Sequence, residues 1–182
     1  MTTFPRSEFA DATLSRPGEV KVVEGRDVDD HRHVLIIAGI RPKPWTAFAR
    51  AKRATNGQPY AAWKATTQDT LRAALAASGT AMYPRDARLG LAMSFGARLA
   101  KVGGERRATS VLDFDLRNLE KATEDCLKGL LYADDDQVRY SGPGHAVDTA
   151  ADFVIVHAWE GGMWQAEWAA FTVPEDGMEV TA

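Results

Sequence analysis

Short apolar runs and helix-like periodicities alternate along the middle of the chain. Residues 34–40 form a β-branched apolar run followed by a Pro-Lys-Pro sequence, which predicts a buried strand ending in a rigid loop. From Tyr60 to Leu75, large apolar side chains recur every three or four residues, and Gly79 stands where a helix would end. This second pattern predicts a helix of about five turns, counted at roughly 3.6 residues per turn.

Strand and helix patterns continue in the same order further along the chain. Residues 89–100 alternate imperfectly between large and small side chains and predict a second core strand. Residues 116–130 carry an apolar face at helical spacing, and Asp115 is placed to cap the start of that helix. Two further strands fit residues 137–140 and 152–159, with a turn-rich Ser-Gly-Pro-Gly sequence between them. The predicted fold is α+β, a mixed sheet in β-α-β-α-β-β order with the helices packed on one face.

The two ends of the chain lack these regular patterns. Residues 1–31 mix charged residues and glycine with few bulky apolar positions, which predicts a poorly ordered arm in which residues 20–23 could pair with a strand. We therefore expect one main domain over 32–160 and a C-terminal extension over 161–182. Three aromatic residues of that extension have the spacing of a short amphipathic helix: Trp164, Trp168 and Phe171.

The composition is that of one globular domain without a membrane span. The chain has 182 residues, of which 45% are apolar, and it contains no apolar run of the ~18 residues that a bilayer span requires. A single cysteine, Cys126, excludes an internal disulfide, and with four histidines it gives little material for a structural zinc site. The N-terminus also lacks the features of a signal peptide, so we expect a protein that stays in the cytoplasm.

Charge is strongly segregated along the sequence. Residues 31–110 carry fourteen Lys and Arg against three Asp and Glu, whereas residues 111–182 carry four Lys and Arg against fifteen Asp and Glu. Such asymmetry suggests a surface that faces a polyanion, next to an acidic cluster that cations or solvent must relieve. The alternative is a pair of solvated faces of opposite sign.

Two groups of carboxylates flank the second predicted helix. Asp113 and Asp115 precede it, and Asp134, Asp135 and Asp136 follow it. The two groups can meet only if the chain turns back after the helix, and three adjacent aspartates repel one another unless solvent or a hard cation separates them. Oxygen ligands favour Mg²⁺ or Mn²⁺ over zinc. The alternative is a capped helix followed by a solvated acidic turn.

The order and spacing of residues in this stretch resemble a known signature. The matching positions, all in one ungapped register, are Asn118-Leu119-x-Lys121, Asp125, Leu127, Gly129, Tyr132 and Asp134-Asp135-x-Gln137-Val138. This pattern resembles the RusA family of Holliday junction resolvases, which are phage-associated endonucleases. The Pro-Lys-Pro loop and the predicted order of elements are also similar to that family.

The resemblance implies a specific chemistry. It implies a homodimer that nicks four-way DNA symmetrically in recombination and repair. The place of action would be a bacterial host cell, and a phage or prophage origin stays open. Carboxylates would hold Mg²⁺, with Mn²⁺ as a substitute, and activate a water for phosphodiester hydrolysis. The ligands implied are Asp115, Asp134 and Asp135, with Asp113 next. Lys121 would reach the phosphate or the nucleophilic water.

One position departs from the family signature. In the ungapped register Arg117 falls where the family has its second aspartate, and a cation cannot ligate Mg²⁺. Two explanations are open. Either residues 116–117 are an insertion, so that Asp113 and Asp115 supply the pair, or the ligand is lost. We favour the insertion; the loss would leave a noncatalytic DNA-binding protein on the same scaffold.

Basic residues cluster in two places ahead of the acidic stretch. Phosphate contacts are their expected use. The predicted DNA-binding residues are Arg41, Lys43, Arg50, Lys52, Arg53, Lys101, Arg106 and Arg107. Trp45 and Phe48 lie within the first cluster, and the sequence leaves open whether they belong to the core or stack on an unpaired base.

Overall fold

A six-stranded sheet and two helices make up the described part of the chain. The structure is a computed structural model that describes residues 17–27, 29–45, 60–98, 115–142, 144–149 and 151–161. The elements in chain order are β1 (Val20–Arg26), β2 (Arg32–Ala38), α1 (Tyr60–Ser78), β3 (Leu89–Arg98), α2 (Leu116–Leu127), β4 (Val138–Ser141), β5 (His145–Thr149) and β6 (Phe153–Glu160). A 3-10 turn, Asp135–Gln137, joins α2 to β4.

The sheet is mixed, and its order differs from the order along the chain. The strands lie in the order β1-β2-β6-β3-β4, and β5 pairs with β3 further along the same edge as β4. β6 is antiparallel to both β2 and β3, whereas β4 and β5 are parallel to β3. α2 therefore belongs to the connection between the adjacent parallel strands β3 and β4.

Both helices pack against one face of the sheet, as predicted. Alternate residues of the central strands, such as Ile36, Met93 and Val156, belong to one buried cluster. The same cluster contains the buried face of α1, including Leu71, and that of α2, including Cys126. Side chains two residues apart in a strand share a face, so this cluster is the core between sheet and helices. Cys126 is fully buried there.

Two glycines of β3 make room for aromatic side chains of β6. A Cβ at Gly90 would lie 2.0 Å from the Trp159 ring, and one at Gly96 would lie 2.1 Å from the Phe153 ring. These residues are direct partners across the two strands. Each aromatic ring thus lies directly over the β3 backbone, which ties the β3–β6 register to these two contacts.

The structure confirms the α+β class and corrects some of the predicted boundaries. α1 begins and ends where its pattern predicts, but α2 ends at Leu127, because Gly129 adopts a positive φ of 76° that breaks the helix. The first core strand, predicted over 34–40, is β2, which begins and ends two residues earlier, at Arg32 and Ala38. β5 was not predicted: its five residues follow the turn-rich sequence directly and find a partner in β3.

The structure describes the predicted N-terminal arm only from residue 17 onward, so the arm as a separate segment stays a prediction. Residues 20–26 form β1, which pairs in register with the whole of β2, so the pairing expected for residues 20–23 is present and extends to residue 26. The free edge of β2 supplies the backbone partners that the arm's sequence does not reveal. The aromatic residues of the C-terminal extension lie outside the described ranges. Neither described helix has the length and apolarity needed to cross a membrane.

Candidate active site

The chain turns back after α2 through a short buried segment. Leu131 and Tyr132 are fully buried, and the Leu131 carbonyl accepts a 2.8 Å hydrogen bond from the backbone of Tyr83. The Tyr132 hydroxyl donates to the backbone carbonyl of Glu124, 3.1 Å away, near the end of α2. This anchored return brings the acidic turn back beside the helix, as convergence of the two carboxylate groups requires.

Gln137 fixes the conformation of the acidic turn. Its side-chain oxygen accepts hydrogen bonds from the backbone of Ala133 (2.8 Å) and Asp134 (3.2 Å). Its side-chain nitrogen donates to the carbonyl of Pro84 at 2.7 Å. Gln137 is buried, so these bonds form in a poorly hydrated setting where they hold the backbone firmly. The turn that carries Asp135 is thereby attached to the loop before β3.

Asp134 is held by cations and by the turn itself. Its carboxylate accepts a 2.8 Å hydrogen bond from the Asp135 backbone and caps the 3-10 turn. Lys128 lies 2.6 Å from it and Arg85 lies 3.6 Å away. The hydrogen bond from Lys128 lowers the pKa of Asp134 below its ordinary value. Lys128 also approaches Asp135, at 3.4 Å.

Asp115 caps the N-terminus of α2, which confirms the predicted cap. Its carboxylate accepts a hydrogen bond from the backbone N–H of Arg117 at 3.0 Å and one from the Asn118 side chain at 3.4 Å. Negative charge at this end of a helix is stabilised by the unpaired N–H groups. Asp115 therefore has a structural partner set of its own, at the helix start.

An open polar cleft brings together residues from both halves of the signature. It has a volume of about 330 Å³ between α2 and the chain that returns beside it. The lining residues are Arg117, Glu120, Lys121, Glu124, Asp125, Asp135 and Ser141. Two of the predicted catalytic residues in the described ranges, Lys121 and Asp135, line the cleft. Asp115 and Asp134 are not among the lining residues; each accepts the hydrogen bonds described above. Asp113 lies outside the described ranges.

Asp125 faces the cleft but is held from the side of α1. The Tyr60 hydroxyl donates to its carboxylate at 3.1 Å, and Lys64 lies 3.7 Å away. Gln68 donates to the backbone carbonyl of Asp125 at 3.3 Å. These contacts fix α2 against α1 along one side of the cleft. Burial raises the pKa of Tyr60 strongly, and the Asp125 carboxylate adds to this, so the hydroxyl keeps its proton as a donor.

The glutamates of α2 are the residues that the sequence prediction missed. Burial raises the pKa of Glu124, and the nearby charges of Glu120, Asp135 and Asp125 raise it further. Burial also raises the pKa of Glu120, with Arg117 acting in the opposite direction. The spacing 117, 120, 121 and 124 puts all four side chains on one helical face, and that spacing is the signal that could have revealed them.

Trp45, in the segment after β2, contacts α2 next to the cleft through Lys121, which lines it. Its backbone N–H donates to the carbonyl of Asn118 at 2.8 Å, and the Lys121 ammonium lies 4.0 Å from the centroid of its ring. A cation within about 6 Å of an indole face is attracted by the ring quadrupole. The partly buried Trp45 packs against the core cluster on one side and contacts Lys121 on the other. The sequence left open whether Trp45 packs in the core or stacks on a base. The structure shows packing against the core and, in addition, the contact with Lys121.

The predicted DNA-binding residues fall mostly outside the described ranges. Arg41 is described, and its side chain forms an ion pair with Asp152 at 3.2 Å. Its carbonyl accepts a hydrogen bond from Trp63 at 3.0 Å, which ties the loop to α1. Lys43 is half-buried, and burial lowers its pKa. The others, outside the described ranges, are Arg50, Lys52, Arg53, Lys101, Arg106 and Arg107.

A second group of possible ligands lies in the turn between β1 and β2. Ligand atoms of Asp27, Asp29 and His31 lie within 4.8 Å of one another. Among the described residues, this is the group of three possible metal ligands that is this compact. Asp27 accepts hydrogen bonds at 2.9 Å from the backbone of Asp29 and of His31. These bonds close the turn, so we assign the group a structural role. β1 is at the edge of the sheet opposite β4.

The cleft suits a hard divalent cation in part. Its donors are carboxylate oxygens, and burial together with the like charges of Glu120, Asp135 and Asp125 raises the pKa of Glu124. Mg²⁺ commonly binds through one or two carboxylates and keeps several waters, so it needs no cage of protein ligands. Carboxylates with a lysine and an arginine around one open cleft are groups that phosphodiester hydrolysis uses.

Comparison with known families agrees with this chemistry. The model of the family described as endodeoxyribonuclease RusA matches residues 40–143, more than half of the chain. The chain belongs to this family of DNA-cutting hydrolases, which confirms the resemblance seen in the signature. A search of curated proteins finds no match.

Proposed function

We propose that this protein resolves Holliday junctions, cutting four-way DNA by paired symmetric nicks in recombination and repair. The observation that carries the proposal is the cleft that is lined both by Lys121 of α2 and by Asp135 of the returning turn. The two residues come from opposite ends of the signature. Family membership supports endonuclease activity on DNA, and the cleft supports the place where it occurs.

The activity depends on a divalent cation, Mg²⁺ in the cell with Mn²⁺ as a substitute. When bound, the ion polarises the scissile phosphate and lowers the pKa of a water molecule so that it can attack. Asp135 is exposed and lines the cleft, so its carboxylate is available to bind the ion. Asp115, Asp134 and Asp113 stay predicted ligands. Asp134 also orients the backbone of Asp135 through its hydrogen bond.

Lys121 provides the positive charge that contacts the phosphate. Its ammonium lies over Trp45 and its side chain lines the cleft, so this exposed lysine has fewer conformations than one without such a contact. A restrained ammonium can stabilise the charge that develops on the phosphate without first being ordered. We therefore assign Lys121 to the catalytic set and Trp45 to its support.

A noncatalytic DNA-binding protein is the second candidate, and Arg117 is the observation that favours it. Arg117 lines the cleft at the place of a family aspartate. A guanidinium in the cleft binds phosphate well without any metal. This candidate predicts tight junction binding that is independent of Mg²⁺ and produces no cleavage.

Cleavage of a synthetic four-way junction separates the two candidates. The full chain should nick opposite strands symmetrically in Mg²⁺ and lose this activity in EDTA. Asp135→Asn should reduce the cleavage rate at least a hundredfold and leave junction binding intact, because it removes a ligand and a repulsion toward phosphate. Asp136→Asn is the matched control: it removes the same charge from the next, exposed residue, which does not line the cleft. Near wild-type cleavage by Asp135→Asn would refute the assignment.

A further inference from the structure

Two consecutive carboxylates of the acidic turn share one lysine ammonium. The Lys128 ammonium lies 2.6 Å from Asp134 Oδ1 and 3.4 Å from Asp135 Oδ2. The same Asp134 oxygen accepts the backbone N–H of Asp135 at 2.8 Å, and Arg85 lies 3.6 Å from the other oxygen. Both oxygens of Asp134 therefore face donors that belong to the protein. Among the described residues, Lys128 is the cation that joins the two carboxylates.

The fold places Lys128 beside the turn through its backbone. Lys128 is the C-cap of α2, and its N–H donates to the carbonyl of Glu124 at 2.9 Å. Its backbone also forms an isolated bridge with that of Tyr132, and the chain between them turns at Gly129. The side chain therefore starts from a fixed point, whereas the rest of it is exposed and ends on a flexible stem.

The ammonium fills the position that a shared divalent ion would need. Mg²⁺ lies about 2.1 Å from each carboxylate oxygen that it binds, so an ion on Asp134 Oδ1 and Asp135 Oδ2 would lie within about 5 Å of the Lys128 ammonium. Two cations repel each other at that distance. Either cation by itself relieves the repulsion between the adjacent carboxylates. Binding of an ion at this pair is thus an exchange of one cation for another.

We propose that Lys128 is the internal counter-ion of the acidic turn, and that a divalent ion binds Asp134 and Asp135 together by displacing it. This inference rests on the proposed metal-dependent activity of the same residues. Lys128 stabilises the carboxylate pair in the metal-free protein and thereby lowers its affinity for the ion. Displacement costs little, because ion pairs between exposed side chains are weak.

Mn²⁺ binding by the full chain without DNA, measured from the paramagnetic resonance signal of free Mn²⁺, tests the exchange. Lys128→Met should tighten Mn²⁺ binding about fivefold, which corresponds to one exposed ion pair. Lys128→Arg keeps a cation and should change the affinity less than twofold. Arg85→Met is the matched control, because it removes a cation whose described contact is with Asp134 and should change the affinity less than twofold. Thermal unfolding without metal verifies that each variant folds.

A second background tests where the effect arises. Asp135→Asn removes one of the two carboxylates that Lys128 joins, so adding Lys128→Met to it should change Mn²⁺ affinity less than twofold. Lys128→Gln is neutral but polar, and it should tighten Mn²⁺ binding as Lys128→Met does. Mn²⁺ should also raise the melting temperature of Lys128→Met more than that of the wild type, because tighter binding to the folded state adds to the free energy of unfolding.

The outcomes distinguish this inference from the proposed function. If the wild type cuts junctions in Mg²⁺ while Lys128→Met binds Mn²⁺ no more tightly than Arg85→Met, the inference is overturned and the resolvase proposal stands. If Lys128→Met binds Mn²⁺ about fivefold more tightly but the wild type never cuts a junction, the inference is supported and the resolvase proposal is refuted. Weaker Mn²⁺ binding by Lys128→Met, a gain that persists with Asp135→Asn, or no Mn²⁺ binding by either protein overturns the inference.

Discussion

The ammonium of Lys121 lies 4.0 Å from the centre of the Trp45 ring, and this contact joins the loop after β2 to the predicted catalytic helix. A second contact reinforces it, since the Trp45 backbone donates to the carbonyl of Asn118 one turn earlier on that helix. The loop and the helix are far apart in sequence but act as one unit at the cleft. Cation–π contacts at exposed sites contribute about 0.5–1 kcal/mol, enough to restrain a side chain without fixing it.

Removing the Trp45 ring should slow cleavage through Lys121. We expect Trp45→Ala to lower the single-turnover rate on a four-way junction about tenfold, with junction affinity changed less than threefold. Trp45→Phe keeps an aromatic face and should retain most of the rate. In a Lys121→Ala background, Trp45→Ala should cost less than a further twofold, because the group it positions is absent. Additive losses would show that Trp45 acts independently of Lys121.

The sequence predicts the helices of this fold better than its edge strands. α1 has a repeating apolar face and a terminal glycine, both of which are local signals, and its limits follow from them. β1 and β5 are defined by partners far away in sequence, the free edges of β2 and β3. The five residues of β5 have no local pattern that distinguishes them from a loop, and in β1 the only local signal is the short valine-rich run of residues 20–23.

The residues of the candidate site also divide into those that the sequence reveals and those that only the folded structure reveals. Asp135 and Lys121 belong to a recognisable signature, so the sequence identifies them and the structure brings them to one cleft. Glu124 has the pattern of a solvated helix position, and its burial and its charged neighbours exist only once the chain after Gly129 returns. The contact between Trp45 and Lys121 likewise requires tertiary packing.

Basic residues that follow β2 in the sequence should contribute to the salt dependence of DNA binding. Lys43→Ala combined with Arg50→Ala should weaken junction binding and make the slope of log K against log salt concentration shallower by about two units, at roughly 0.9 per phosphate contact. Arg41→Ala is a useful comparison, because the ion pair with Asp152 already engages this side chain. An unchanged slope in the double variant would mean that Lys43 and Arg50 do not face DNA.

The active unit should be a homodimer, because a four-way junction is two-fold symmetric and one cleft per chain supplies one nick. Light scattering at micromolar concentration should report close to twice the chain mass of 19.9 kDa. Mixed dimers of wild type and Asp135→Asn should release singly nicked junctions, whereas wild-type dimers release resolved duplexes. A monomer that still resolves junctions symmetrically would contradict this expectation.

Acid should destabilise the fold partly through His157. Burial lowers its pKa to about 3 in the folded protein, and the charge of His33 acts in the same direction. The unfolded chain binds a proton near pH 6.5, so the stability due to neutral His157 is present above that pH and is lost as the pH falls from 6.5 toward 3. The loss is at most about 1.4 kcal/mol per pH unit.

Thermal unfolding between pH 4 and 8 measures this effect. The melting temperature of the wild type should decline steeply below pH 6.5, and that of His157→Gln should decline less, whatever its value at pH 8. Glu24 and Asp27, whose pKa values are lowered in the folded protein, add their own loss at lower pH in both proteins. Equal slopes for the two proteins between pH 5 and 6.5 would exclude a role for His157.

Because Gln137 is buried, it can support this site without itself contacting DNA. Its amide bonds the backbone of Ala133 and Asp134 on one side and the Pro84 carbonyl on the other. A screen for inactive variants would therefore score Gln137 beside Asp135 and suggest a shared chemical task. Crystals of Gln137→Leu would reveal the difference, since the Asp135 carboxylate would be intact but aimed elsewhere. Part of a nuclease signature can thus encode the hydrogen bonds that hold a turn in shape, and not the chemistry itself.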